Sequence, residues 1–312
     1  GWERGSVDFW GGRLVPHDRR RGGAPVEPRL EFGILEGLVD DGGDVVVFAR
    51  LGLQSPFAID FRLEQVRLGV GLVVGEQCID DLERKGMFTL EGFMRRPVID
   101  AILPGLLKKL EHESFYHRRE HNIYFSDDVD DIAADHPALA RVNSFNHTLC
   151  GDQLADELLQ IYRWPGLTDF LARVMGKSKL YPMDDPLACA NILGYYEGEG
   201  LNWHFDRSEF TTTLLLQAPR EGGEFEYRRE LRSEQDPNYD GVASLLRGED
   251  REIANLKLGA GDLNVFKGKN TAHRVTPPKG DRARLVTVFS YYETPGRMFS
   301  DEENLGFYGR TN

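Results

Sequence analysis

Asn202-Trp203-His204-Phe205-Asp206-Arg207-Ser208 decides how this chain is read, together with Thr271-Ala272-His273-Arg274-Val275 further on. The first stretch lies between two strand-like runs, Asn191-Ile192-Leu193-Gly194-Tyr195-Tyr196 and Thr211-Thr212-Thr213-Leu214-Leu215-Leu216. Residues i and i+2 of a strand share a face, so His204 and Asp206 point the same way with Phe205 behind them. A third ligand must come from another strand laid alongside, and His273, 69 residues after His204, precedes the strand-like run Arg284-Leu285-Val286-Thr287-Val288-Phe289-Ser290-Tyr291. Two imidazoles and one carboxylate form the facial set that holds Fe(II) and leaves positions open for a co-substrate and O2. The same donors accept zinc, which stays open at this point.

Arg284 stands 11 residues beyond His273, at the start of that last strand. A guanidinium there binds a carboxylate through a two-pronged fork. A metal with open positions and a fixed cation nearby suits a dicarboxylate chelated at one end and anchored at the other. The order His-x-Asp, distal His, then Arg resembles the Fe(II)/2-oxoglutarate-dependent oxygenase superfamily over roughly residues 186–295. Three further stretches are similar to its branch of free-amino-acid halogenases and their hydroxylase relatives: His204-Phe205-Asp206-Arg207-Ser208-Glu209-Phe210, Leu214-Leu215-Leu216-Gln217-Ala218-Pro219 and Gly222-Gly223-Glu224-Phe225-Glu226-Tyr227.

The resemblance implies a β-rich α+β fold, a double-stranded β-helix (jelly-roll, cupin-like) core with helices buttressing the larger sheet. It implies Fe(II) on His204, Asp206 and His273, the catalytic set, with 2-oxoglutarate and O2 as co-substrates. The far carboxylate of 2-oxoglutarate would pair with Arg284, or failing that with Arg282, and Tyr195 would add a hydrogen bond. Oxidation of a small amino acid or related metabolite would release succinate and CO2. Trp203, Arg207, Asn202 and Arg118 are the substrate-contact candidates, with Asn146 and Glu209 behind them. Halogenases of that branch replace the ligand carboxylate with a small residue so that chloride takes its place. Asp206 fills that place here, which favours hydroxylation. Desaturation or ring closure by the same chemistry stays open, because the outcome depends on substrate placement within about an ångström. Two readings from other classes are a non-catalytic β-barrel binding module and a zinc hydrolase with Glu209 as its base.

The totals fit a catalytic domain and exclude some partners. Hydrophobic residues make up 40% of the 312, with 18 Phe and 11 Tyr, enough for a substantial core. A net charge of -13 lacks the basic footprint of a nucleic-acid binder. Cys78, Cys150 and Cys189 are odd in number and unpaired in spacing, which predicts reduced thiols and a cytoplasmic location. No apolar run approaches the roughly 20 residues that span a bilayer, so no membrane role is expected.

Along the chain, residues 1–30 are rich in Gly, Arg and Pro without periodicity and read as a flexible arm. Residues 31–312 read as a single oxygenase domain. Val45-Val46-Val47-Phe48-Ala49 is a predicted strand, in a region that either extends the sheet or pairs with a second copy as a homodimer. Helices are expected over 78–85, from Pro97, and over 151–163 and 166–176. The segment 115–124 is either a pocket wall or a solvated strand. The charged insertion 228–252 is either a lid or a solvated loop, and the run ending Phe307-Tyr308-Gly309-Arg310 is expected to dock on the body.

Overall fold

The computed structural model describes the strands Glu36–Val39 and Val45–Phe48, then residues 70–311 apart from 128 and 130. The predicted arm, residues 1–30, lies outside the described residues. Contacts divide the chain into Gly1–Val73 and Val74–Asn312. In the first unit the two strands form an antiparallel pair, Glu36 opposite Phe48.

In the second unit, α1 (Val70–Lys85, entering from the first) leads into β1 (Met87–Leu90). Helix α2 (Arg96–Glu113) follows, with Pro97 in its first turn, where a missing N–H costs nothing. Its residues Ile99, Ile102, Leu106 and Leu110 recur at helical spacing and are all buried, each worth roughly 1.5–3 kcal/mol. Strands β2 (Phe115–His121) and β3 (Val142–Leu149) come next. They are followed by helices α3 (Asp156–Tyr162) and α4 (Pro165–Val174). Setting aside four two-residue strands, the next are β4 (Ala190–Tyr195), β5 (Leu201–His204), β6 (Thr211–Gln217) and β7 (Phe225–Arg228). Helix α5 (Tyr239–Leu246) precedes β8 (Ala254–Leu256), β9 (Leu263–Phe266), β10 (Ala272–Val275) and β11 (Arg284–Phe289), and α6 (Asp301–Tyr308) ends the chain.

The strands form a seven-stranded sheet in the order β1-β9-β6-β11-β4-β3-β2 and a four-stranded sheet in the order β8-β7-β10-β5, antiparallel throughout. From β4 to β11 the chain crosses between the two sheets at nearly every step, staying in one only from β7 to β8. That winding is the expected double-stranded β-helix. The inner strands β6, β9 and β11 of the large sheet are largely buried on both faces, as the unbroken apolar run Leu214-Leu215-Leu216 anticipates. Helix α2 packs so closely on β4 that a Cβ at Gly194 would overlap the Leu110 side chain.

Helix α5 settles the insertion. Val242, Ala243 and Leu245 are buried in one cluster with Trp203, Phe205, Ala272 and Ile123. The insertion is therefore neither a lid nor a solvated loop but a cover for the outer face of the small sheet. Cys78, Cys150 and Cys189 are free and buried. Among the described residues no helix is long and apolar enough to cross a membrane.

Candidate metal centre and active site

His204 closes β5 and His273 sits on β10, directly opposite it in register. The pairing shifts immediately after His273; such irregularities re-aim side chains beside functional sites. Asp206 lies just beyond β5, its N–H donating to the Gly268 carbonyl at 3.1 Å. Asp206 Oδ1 is 3.5 Å from His204 Nε2 and 3.4 Å from His273 Nε2. The three ligand atoms lie within 4.8 Å of one another.

The surroundings prepare these atoms for a cation. His204 Nδ1 donates to the Asn202 carbonyl at 2.8 Å and His273 Nδ1 to the Thr271 carbonyl at 3.0 Å. Both bonds fix the tautomer that leaves the Nε2 lone pair facing the site. The Thr211 hydroxyl donates to Asp206 Oδ2 at 2.5 Å and leaves Oδ1 for a metal. Burial alone would raise the Asp206 carboxyl, but the flanking imidazoles outweigh it and hold the group well below the usual carboxylate range. Burial and then His273 push the His204 imidazole down. Burial works the same way on His273, yet Asp206 more than offsets it and holds that ring above its ordinary value. Phe266 and Phe225 pack on His273, and the Phe125 ring meets His204 edge-on. Gly268 is required here, since a Cβ would overlap the Asp206 carboxylate.

The triad opens on a cavity of about 340 Å³ between the two sheets. Arg284 and Tyr195 face each other across β11 and β4 and line one end. Arg284 is 5% exposed, makes no ion pair among the described residues, and its Nε has no hydrogen-bond partner. Burial pulls its guanidinium down to about 10. Arg282, the fallback, is half-buried and does not line the cavity.

The substrate candidates fare differently. Arg207 lines the cavity, stacked over Phe307 and 3.4 Å from Glu303. Trp203 does not: one residue from His204, it faces the other side of the sheet, under α5 and against Arg274. Asn202 is turned to the backbone, its amide donating to the Asn143 carbonyl at 3.1 Å. Arg118 lies exposed over the Phe145 ring, on the outer face of β2. The residues that face inward on β2 are His117 and Arg119, so 115–121 is a pocket wall, read one residue out of phase. Asn146 lines the cavity, bonded to Thr148 at 2.8 Å. Glu209 is held by Lys177 at 2.6 Å outside the cavity, which removes the base a hydrolase would need.

The C-terminal run docks on the body as expected, but sequence reasoning missed that it roofs the cavity. Phe299, Phe307 and Tyr308, on and before α6, line the cavity from the C-terminal segment. Tyr308 accepts from the Asn191 amide at 3.4 Å, and Arg310 pairs with Asp152 at 2.5 Å. The one available signal was Ser300-x-x-Glu303, a capping box that starts the helix and is present in the structure.

The family model Halogenase D matches residues 152–300, the span that holds the whole triad and Arg284. No curated protein sequence matches the chain. Solved structures with a similar course include a 2OG-Fe(II) oxygenase-family oxidoreductase from Burkholderia pseudomallei, 13% identical with a TM-score of 0.44, covering 72% of this chain and 92% of its own. The epimerase SnoN from nogalamycin biosynthesis is 17% identical, with a TM-score of 0.49 and coverage of 70% and 83%. A prolyl-4-hydroxylase from Pseudomonas putida is 16% identical, with a TM-score of 0.42 and coverage of 69% and 98%. Likeness of this degree carries no activity over to this chain. The Halogenase D match spans just under half of the chain, and within it lie the two-His, one-Asp cluster and most of the double-stranded β-helix, so over residues 152–300 the chain is similar to the halogenase-related Fe(II)/2-oxoglutarate-dependent oxygenases.

Proposed function

We propose that this chain is an oxidoreductase, an Fe(II)- and 2-oxoglutarate-dependent oxygenase that hydroxylates an unactivated C–H bond of a small amino acid or related metabolite, releasing succinate and CO2. One observation carries the reading: the cavity that holds the three ligand atoms also holds a buried guanidinium with no anionic partner among the described residues. A buried cation is costly unless something pairs with it. The terminal carboxylate of 2-oxoglutarate is the partner that fits.

His204, Asp206 and His273 would hold the iron, through donors already oriented and desolvated. Iron with 2-oxoglutarate and O2 supplies the oxidising power; the chain's residues bind, orient and exclude water. Arg284 takes the far carboxylate, and Tyr195 beside it offers a hydroxyl. Phe125, Phe225 and Phe266 keep the imidazoles dry. Asp206 occupies the ligand position that a halide would need, which supports hydroxylation over halogenation. The protein is expected to act in the cytoplasm.

The test is anaerobic titration of the metal-free protein with Fe(II) and 2-oxoglutarate, followed by the weak visible charge-transfer band of the chelate. The band should form, and should be lost in His204→Ala, Asp206→Ala and His273→Ala along with succinate formation. Folded protein that gives no band would overturn the reading.

A further inference from the structure

The wall of the cavity away from Arg284 carries its own charge pattern. Among the described residues lining the cavity the only carboxylate is Asp206, which is committed to the metal centre. The lining cations are Arg119, Arg207 and Arg284. Arg207 is neutralised in part by Glu303. Arg119 makes no ion pair or hydrogen bond among the described residues and rests on the Phe125 ring at 4.7 Å. Asp127, the acidic group whose charge reaches it, is itself held by Arg141 at 2.9 Å. A chain of net charge -13 thus builds a cationic pocket.

Arg119 does not serve the co-substrate. It stands on β2, three places from β11 in the sheet order. At about 4.8 Å per strand the two backbones are some 14 Å apart. A five-carbon diacid chelated to the metal and fixed by Arg284 has no group left for Arg119. Phe125 lies beneath Arg119, and elsewhere, outside the triad and the other two arginines, the lining is apolar or neutral, with Phe299, Phe307, Asn146, Asn191 and Tyr308 among it. An ammonium group would find no carboxylate there, and it would face two guanidiniums.

Building on the oxygenase reading, we infer that the substrate is a small organic anion without a cationic group. Its carboxylate docks on Arg119, with Arg207 alongside, and its apolar body runs toward the triad. A member of the amino-acid class would enter with its amine absent or acylated. Arg119 is a specificity-determining residue because a half-buried guanidinium without an ion-pair partner among the described residues forms a charge-assisted contact with an anion and repels a cation.

The experiment uses the full chain loaded with Fe(II) and saturating 2-oxoglutarate under anaerobic conditions. Three matched series of aliphatic and phenylalkyl probes are titrated: carboxylates, the primary amides of the same bodies, and the primary amines. Calorimetry gives affinity, and perturbation of the charge-transfer band shows that the probe sits beside the metal. Carboxylates should bind best, amines worst. Arg119→Gln should weaken the best carboxylate roughly 10- to 100-fold, the loss of one charge-assisted contact, and change the amide by less than about twofold. Arg119→Glu should turn the order toward amines. Both variants should keep the charge-transfer band, which checks that they fold. Amines binding as well as carboxylates, no carboxylate binding at all, or affinity indifferent to Arg119→Gln would each overturn the inference. Absence of the band in the wild type would instead remove the oxygenase reading on which it rests.

Discussion

Replacing Arg284 by Met should separate the two consequences of burying a cation without a partner. The thioether keeps much of the stem's bulk and removes the charge. The guanidinium is buried and has no carboxylate beside it among the described residues, and its fall to about 10 corresponds to about 3 kcal/mol of lost solvation. This penalty is fully present at neutral pH, below both the folded and the unfolded value, so Arg284→Met should relieve part of it. The melting temperature of the metal-free variant should hold or rise by a few degrees, at roughly 2–4 °C per kcal/mol for a domain of this size. Binding should move the other way. Since the cost of burying the cation is already met in the free protein, the two prongs to the ligand carboxylate act at nearly full strength, at about 1.5–3 kcal/mol each. Their loss should raise the Kd for 2-oxoglutarate roughly 10²- to 10³-fold. The assay is anaerobic titration of the Fe(II)-loaded variant with 2-oxoglutarate, beside thermal melts of the metal-free form. Arg282→Met, outside the cavity, is the control and should change the Kd by less than about twofold. A Kd for Arg284→Met within about fivefold of wild type, or a melting temperature lowered by several degrees, would refute the reasoning.

Gly268→Ala should drive a methyl group into the Asp206 carboxylate and lower Fe(II) affinity by about 10- to 100-fold, read by metal titration, with the fold retained by circular dichroism. Asp206→Gly should abolish hydroxylation and open a ligand position for chloride; chloride-dependent perturbation of the charge-transfer band, and product analysis by mass spectrometry, check it. Leu245→Ala, in the core beneath α5, should cost about 2–5 kcal/mol in denaturant unfolding and leave 2-oxoglutarate affinity unchanged. A large change in that affinity would return the insertion to the active site.

The clustering of the three candidate ligands was legible because their placement is local on each strand: His204 and Asp206 need only the two-residue repeat, and His273 needs one partner strand. Arg284 followed from its place 11 residues beyond His273, at the start of the next long strand, β11. What failed was phase and distance. Nothing in Phe115–His121 says which of Arg118 and Arg119 faces inward, since both faces carry charge and aromatics, and a one-residue slip exchanges them. Trp203 shows the opposite error. Adjacency to His204 suggested a role, while the alternation that placed the ligands also turns Trp203 away. The insertion reads as charged overall, and the buried Val242, Ala243 and Leu245 are too short a run to announce a core. The C-terminal roof depends on contacts with residues more than a hundred positions earlier, such as Asn191 with Tyr308, which no local pattern encodes.

The cross-strand pairing of His204 with His273 also bears on how the protein keeps its shape. A cation shared by those rings is a staple across some 70 residues of chain, the stretch that contains β6, β7, α5, β8 and β9. By the closure entropy of a covalent bridge over a loop of that length, such a staple withholds about 4 kcal/mol of freedom from the unfolded chain. On the proposed iron ligation, removing the metal would therefore loosen the roll as well as silence it, and supply of the ion would bear on how firmly the chain stays folded.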